Sequence, residues 1–194
     1  MKMPYLIAEM GVNFYDTAKV LKISPLEAAK LYIDKAAEAG ADCAKFQSYK
    51  AGKIVSKNSP AYWDTTKEPT KTQYELFLKH DSFGENEYQD LCDYTHAKGL
   101  DFISTPFDYT SADYLCDMVD SYKISSSDIT NLPFIKHIGQ KGKPVYMSVG
   151  AAYLSEIDEA VRTLKDAGCK DIALFHCILS YPTEPDDANL KMME

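Results

Sequence analysis

The chain's five cysteines, Cys43, Cys92, Cys116, Cys169 and Cys177, are odd in number and contain no Cys-x-x-Cys pair, which argues against both a disulfide framework and a redox motif. Three of them lie in or beside apolar, strand-like runs, where a thiol acts as a small core residue; this usage suits a reducing, cytoplasmic setting. The four histidines form no clustered metal motif. His80 and His96 read as surface residues, His137 falls in a helical stretch, and His176 ends an apolar run as a hydrogen-bonded core histidine rather than a ligand. No apolar run reaches membrane-spanning length, and the short stretch after Met1-Lys2-Met3-Pro4 is too brief for a signal segment. Basic residues are outnumbered 21 to 29, for a net charge of −8, so the basic stripe of a nucleic-acid surface is missing. An anionic substrate is not excluded, because a pocket can be locally positive in an acidic molecule. The loop after the first apolar run, Glu9-Met10-Gly11-Val12-Asn13-Phe14, has one glycine, which removes support for a dinucleotide-binding fingerprint.

What is present is regular. At 194 residues, 45% hydrophobic and 26% charged, the chain is expected to be globular with one core and no second domain. Six short apolar runs, near residues 5, 43, 101, 121, 144 and 171, each lead into polar and mostly chemically capable residues, with helix-like segments between them. Gly40, Gly99 and Gly168 each follow a helical stretch and precede a strand, as the left-handed residue after a helix would. Lys141-Gly142-Lys143-Pro144 repeats the pattern with a proline at a strand start. Ser24-Pro25 with Glu27 is a capping box with proline at the first helical position. Ser155-Glu156 opens a helix with Ile157, Ala160, Val161 and Leu164 on one face.

Repeated β-α units make either a closed (β/α)8 TIM-type barrel or an open doubly wound sheet. Polar residues at the ends of all six strands favour converging strands, so the expected fold class is the α/β barrel, with about six strands in this chain. A barrel needs eight strands, and Asn189 to Glu194 reads as the start of another helix. The expectation is therefore an incomplete barrel domain over residues 1–194, with Glu194 not the natural end.

Lys45 and Lys123 end non-adjacent strands, a spacing suited to two ammonium groups around one anion, with Thr105, Ser126 and Ser148 as hydroxyl donors. Glu9 at the end of the first strand can act as an acid/base or bind sugar hydroxyls. Asp128 is either a base for activating water or the N-cap of a helix over residues 130–141, a task Thr130 or Asn131 could also perform. Residues 49–72 form a long loop carrying the only tryptophan, Trp63, whose ring either covers a ligand or organises the loop itself. Tyr181, before Pro182, can add a phenol.

These residues lie in phrases that resemble the sialic acid synthases, the family that makes nonulosonic acids. The phrases are Ile7-Ala8-Glu9-Met10-Gly11-Val12-Asn13, Ala39-Gly40-Ala41-Asp42 running to Lys45-Phe46-Gln47, Ile103-Ser104-Thr105-Pro106-Phe107-Asp108 and Tyr122-Lys123-Ile124-Ser125-Ser126. Thr130-Asn131-Leu132-Pro133, Gly142-Lys143-Pro144, Ser148-Val149-Gly150, His176-Cys177 and Ser180-Tyr181-Pro182-Thr183 complete a collinear set covering the chain. The resemblance implies a barrel that condenses phosphoenolpyruvate with an N-acyl amino sugar and releases phosphate. A divalent metal, manganese or magnesium, would polarise the sugar aldehyde. By position, Lys45, Thr105, Lys123, Ser126 and Ser148 would bind phosphoenolpyruvate, and Gln47 and Tyr181 would position substrate. Glu9 and Asp128 would be catalytic. The resemblance places the metal ligands and an antifreeze-like C-terminal domain, which completes the site across a homodimer, beyond Glu194.

Three departures from the family pattern stand out. Asp128 replaces a glutamate credited with handling the attacking water, Phe14 replaces a histidine, and Ile178-Leu179 replaces a polar pair. The last two imply a less polar sugar end and an acceptor other than N-acetylmannosamine, such as a deoxy diacetamido sugar. Two alternatives stay open: a Schiff-base aldolase using Lys45 or Lys123, and a non-catalytic truncated barrel serving as a binding module.

Overall fold

The computed structural model describes residues 4–193, and the strand residues 102–106 and 121–124 are buried on both faces, as in a sheet covered on both sides, whereas the strand residues 172–175 are not. All six expected strands form, and the chain divides into two compact units, Met1–Val119 and Asp120–Glu194. The fold is α/β.

In the first unit, β1 (Ile7–Gly11) is followed by α1 (Phe14–Leu21) and α2 (Pro25–Glu38), then β2 (Cys43–Ser48), α3 (Ala51–Ile54), α4 (Gln73–Leu78), α5 (Glu85–Ala97), β3 (Asp101–Pro106) and α6 (Tyr109–Tyr114). The pairs β1–β2 and β2–β3 are parallel, with Glu9 opposite Lys45 and Gln47 opposite Thr105. Alternation then sorts the side chains. Ala44, Phe46 and Ser48 face one way on β2, and Lys45 and Gln47 the other. Phe46 is fully buried against Phe14 and Phe102, with ring centroids 6.0 and 5.7 Å away, and Phe83 extends the stack from Phe14. Each such ring is worth about 1.5–3 kcal/mol of burial. Ser48 and Ser104 satisfy one another within that layer at 2.7 Å.

The helix ends obey the sequence signals. Ser24 and Glu27 form the expected reciprocal cap of α2, with Pro25 at its start. Gly40 and Gly168 lie at φ 78° and 102°, where a side chain would be strained. Thr72 and Glu75 cap α4 in the same reciprocal way.

In the second unit, β4 (Ser121–Ile124), α7 (Leu132–Gly139), β5 (Val145–Ser148), α8 (Leu154–Asp166) and β6 (Ile172–Phe175) follow in order. The pairs β4–β5 and β5–β6 are parallel, with Lys123 opposite Tyr146 and Tyr146 opposite Ala173. Tyr122, Ile124, Val145 and Met147 are buried, as are Phe134, Ile135 and Ile138 of α7 and Ala160 and Leu164 of α8.

Several local expectations are corrected. The helix expected over residues 130–141 spans only Leu132–Gly139, because residues 126–128 form a 3-10 turn and Pro133 suits the first helical turn. Helix α8 begins at Leu154, one residue before Ser155, and Glu156 caps its entry by accepting from the Tyr153 N–H at 2.7 Å. His80 is not a surface residue: its side chain is 15% exposed, with the ring against Tyr15. The long loop is built rather than open, holding α3 and a bridge between Pro60 and Thr72. The turn at Leu190–Met193 is 3-10 rather than α-helical. Met1, Lys2, Met3 and Glu194 lie outside the described residues.

Candidate active site

In the first unit the strand register does the assembling. Glu9, Lys45, Gln47 and Thr105 share one sheet face, toward the carboxyl ends of their strands. Glu9 is held from two sides: Lys45 Nζ pairs with Oε2, and Gln47 Nε2 donates to Oε1 at 3.2 Å. Lys45 is 14% exposed and Glu9 43%, so the pair is partly desolvated and keeps a solvent-facing carboxylate edge. Gly11 completes the group. Its φ of +54° favours glycine, and an added Cβ would lie 3.2 Å from Glu9 Oε1 and 3.4 Å from Gln47 Nε2. In the sequence this glycine spoke only against a dinucleotide loop, although a lone glycine closing an apolar strand is also a signal of close approach. Thr105 is buried at the end of β3. Phe14, expected to make the sugar end less polar, is instead buried in the aromatic layer and does not face this group.

In the second unit Lys123 is the centre. It is 6% exposed, and its Nζ donates to Ser148 Oγ at 2.6 Å and to the Ile124 carbonyl at 2.7 Å. The ammonium also sits 5.6 Å from the centre of the Phe175 ring, which packs on Tyr146 at 5.3 Å. A buried cation is tolerated only with such partners. Tyr146 and Phe175 were missed in the sequence, yet alternation along β5 and β6 puts them on the face of Ser148 and Lys123.

Asp128 and Ser126 follow β4 in the 3-10 turn Ser126–Asp128. Oδ2 of Asp128 is buried with no hydrogen-bond partner. Burial pushes its carboxyl up to about 6, outweighing hydrogen bonds from Asn131 and Ser127 that act in the opposite direction. A carboxyl that changes protonation near neutral pH can accept and return a proton. Asn131, the residue before α7, makes no side-chain cap hydrogen bond.

Two further residues behave differently. His176 is half-buried with Nε2 2.8 Å from the Ala188 carbonyl oxygen, the hydrogen-bonded role expected of it. Tyr181 is 94% exposed, and the structure does not bring it to the other candidates. Trp63 donates to the Glu68 carbonyl at 3.0 Å and meets Tyr62 edge-on at 5.1 Å, so its ring organises its own loop. Among the described residues no group of three or more His, Cys, Asp or Glu side chains is placed to hold a metal ion, so the divalent metal implied by the resemblance finds no holder there.

Comparison with known proteins matches residues 32–194 to the NeuB family. The chain belongs to the NeuB family. The N,N'-diacetyllegionaminic acid synthase of Campylobacter jejuni is 37% identical over 203 residues, covering 100% of this chain and 57% of its own. The N,N'-diacetyllegionaminic acid synthase of Legionella pneumophila is 34% identical over 197 residues, covering 98% of this chain and 53% of its own. Among solved structures, the N-acetylneuraminic acid synthetase of Leptospira borgpetersenii, crystallised with citrate, superposes with a TM-score of 0.82 at 31% identity, covering 98% of this chain and 60% of that one. This NeuB-family chain thus spans about half the length of the curated relatives it matches.

Proposed function

We propose that this chain supplies anion-holding and acid/base groups of a nonulosonic acid synthase, an enzyme that condenses phosphoenolpyruvate with an N-acyl amino sugar. The observation that carries this reading is a pair of sheltered strand lysines in a NeuB-family chain: Lys123, buried with its Nζ on Ser148 Oγ, and Lys45, 14% exposed and on the sheet face that also carries Thr105. Phosphate and carboxylate are the groups such cations hold. In the reaction, C3 of the enol phosphate attacks the sugar aldehyde carbon, and the aldehyde oxygen takes a proton. Water adds at C2, losing a proton, and the C2–O bond to phosphate breaks to leave a keto acid and inorganic phosphate. Asp128 is the base for the water proton, and Ser126 lies two residues before it in the same turn. Glu9 and Gln47 orient the sugar, and a positioning role for Tyr181, which is turned to solvent, rests on the family resemblance alone.

A diacetamido acceptor is favoured, because two of the bacterial relatives are named N,N'-diacetyllegionaminic acid synthases. Completion of the (β/α)8 barrel, a homodimer and a cytoplasmic location belong to the same reading. Among the described residues no helix is long and apolar enough to cross a membrane.

Calorimetric titration of phosphoenolpyruvate into the chain tests the reading. Saturable binding, weakened about tenfold by Lys45→Ala and by Lys123→Ala, is expected; no saturable binding overturns it. The chain by itself should release no phosphate from phosphoenolpyruvate and acceptor, and measurable release would contradict that. Given a competent synthase carrying these residues, faster turnover on N-acetylmannosamine than on a diacetamido sugar would remove the acceptor assignment.

The burial of Lys123 against Phe175 keeps a Schiff-base aldolase as a second reading. Borohydride treatment with pyruvate separates the two. A covalent adduct on Lys123 or Lys45 would establish the aldolase, and the synthase forms none.

A further inference from the structure

The strand carrying Lys45 and Gln47 runs directly into a segment whose charge opposes the rest of the molecule. Residues 49–79 hold six lysines and three acidic residues, a net +3 in a chain of net −8. The segment is anchored at both ends within the first unit. At its base, the Lys50 N–H donates to Asp108 at 3.3 Å and the Ala51 N–H to Asp81 at 2.9 Å. The Tyr49 ring packs on Phe77 of α4 and on Phe107, just after β3, at 5.7 and 6.2 Å. Between these points the Pro60–Thr72 bridge and the Trp63–Glu68 hydrogen bond close the strap on itself.

The six lysines divide into two groups, and Lys50, whose ammonium donates to the Asp81 carbonyl oxygen, belongs with those already engaged. Lys79 is neutralised by Glu68 at 2.6 Å, and Lys53 stands 3.7 Å from Asp108. Lys57, Lys67 and Lys71 are exposed, and Lys57 lies 5.8 Å from the centre of the Tyr74 ring. The carboxylates of Asp64 and Glu75 are turned to local backbone, accepting from Thr66 N–H and from Lys71 and Thr72 N–H groups.

We propose that this strap is an electrostatic collector that raises the association rate of the anionic substrate with the site next to it. The inference rests on phosphoenolpyruvate, or an equally charged phosphorylated enol acid, being that substrate. Self-repulsion between a trianion and a molecule of net −8 slows encounter unless positive charge is concentrated near the entry. Steering of this kind changes on-rates by about 10–1,000-fold and leaves dissociation nearly untouched. With a Debye length of about 8 Å at physiological ionic strength, the effect is largest in dilute salt.

Trp63, the only tryptophan, lies within the strap and reports its potential directly. At constant low ionic strength, anionic iodide should quench its fluorescence several-fold more efficiently than caesium, despite the negative net charge. The variant Lys57→Glu, Lys67→Glu, Lys71→Glu should reverse that order. A control of equal net charge, Lys22→Glu, Lys165→Glu, Lys170→Glu, should keep it. In stopped-flow mixing with phosphoenolpyruvate, the strap variant should associate about tenfold more slowly with dissociation changed less than about twofold, and the difference should vanish by 0.5 M salt. Equal quenching by iodide and caesium in the unaltered chain overturns the collector whatever the substrate is. Equal slowing by the control overturns it as well, by making net charge the cause. Preferential iodide quenching without any phosphoenolpyruvate binding overturns instead the substrate reading on which the inference rests.

Discussion

Asp128 lies in a turn whose burial favours its neutral form, and this has a consequence for stability as well as chemistry. Its folded-state carboxyl, raised to about 6, lies above the ordinary value of 3.8. The stability it contributes is therefore fully present below about 4 and is lost as pH rises through about 6. Asp128→Asn should stabilise the chain near pH 7 by on the order of 1–2 kcal/mol, a figure reduced from the full shift because the group is partly solvated. It should change little at pH 4. Urea unfolding at both pH values checks this; a variant less stable at pH 7 would mean that the charged form is the one the fold prefers. A second residue-scale expectation concerns Glu9, which occupies Lys45 in the structure. Glu9→Gln should alter stability by less than about 1 kcal/mol, since its carboxylate is substantially exposed. It should tighten binding of phosphoenolpyruvate by removing an internal competitor for the same ammonium. Calorimetry showing weaker binding would assign Glu9 a role in holding the anion instead.

Among the elements, the contact of α7 with α8 depends on the absence of a side chain. A Cβ on Gly139 would fall 2.8 Å from the Ala167 Cβ and 3.2 Å from the Leu164 carbonyl oxygen. Gly139→Ala should cost about 1–3 kcal/mol by overpacking, seen as a lowered thermal midpoint. Ala167→Gly in the same chain should recover only part of it, because the carbonyl stays in place. The α2 cap is an independent check: Ser24→Ala should cost about 1 kcal/mol. Element identity was well marked in the sequence at such points, because capping boxes and helix-ending glycines are local events. The misjudged helix starts at Leu132 and Leu154 were local as well, but were decided by neighbours: a 3-10 turn before one and a tyrosine backbone cap on the other.

For the whole molecule, surface composition dominates behaviour in solution. β6 pairs with β5 and leaves Leu174 47% exposed, while Leu179, Leu190, Met192 and Met193 are exposed beyond it. Apolar side chains on a strand and on the segment after it are a template for association. Sedimentation should show self-association increasing with concentration, and Leu174→Lys should suppress it; an unchanged profile would place the association elsewhere.

By itself the sequence determined the strand and helix order, the α/β class, the residues that end each strand and the family resemblance. All of these depend on contiguous residues: alternation, caps, glycine stops and phrases read in order. Only the tertiary structure decided that Glu9 is clasped between Lys45 and Gln47, that Lys123 is buried against Phe175 and Ser148, and that Asp128 holds an unpartnered oxygen away from water. It also turned Phe14 into core, His80 into a largely sheltered side chain and Tyr181 out to solvent. The reason is physical: burial and partner choice depend on residues 25 to 56 positions apart being brought to hydrogen-bonding distance, and no short-range pattern encodes those distances.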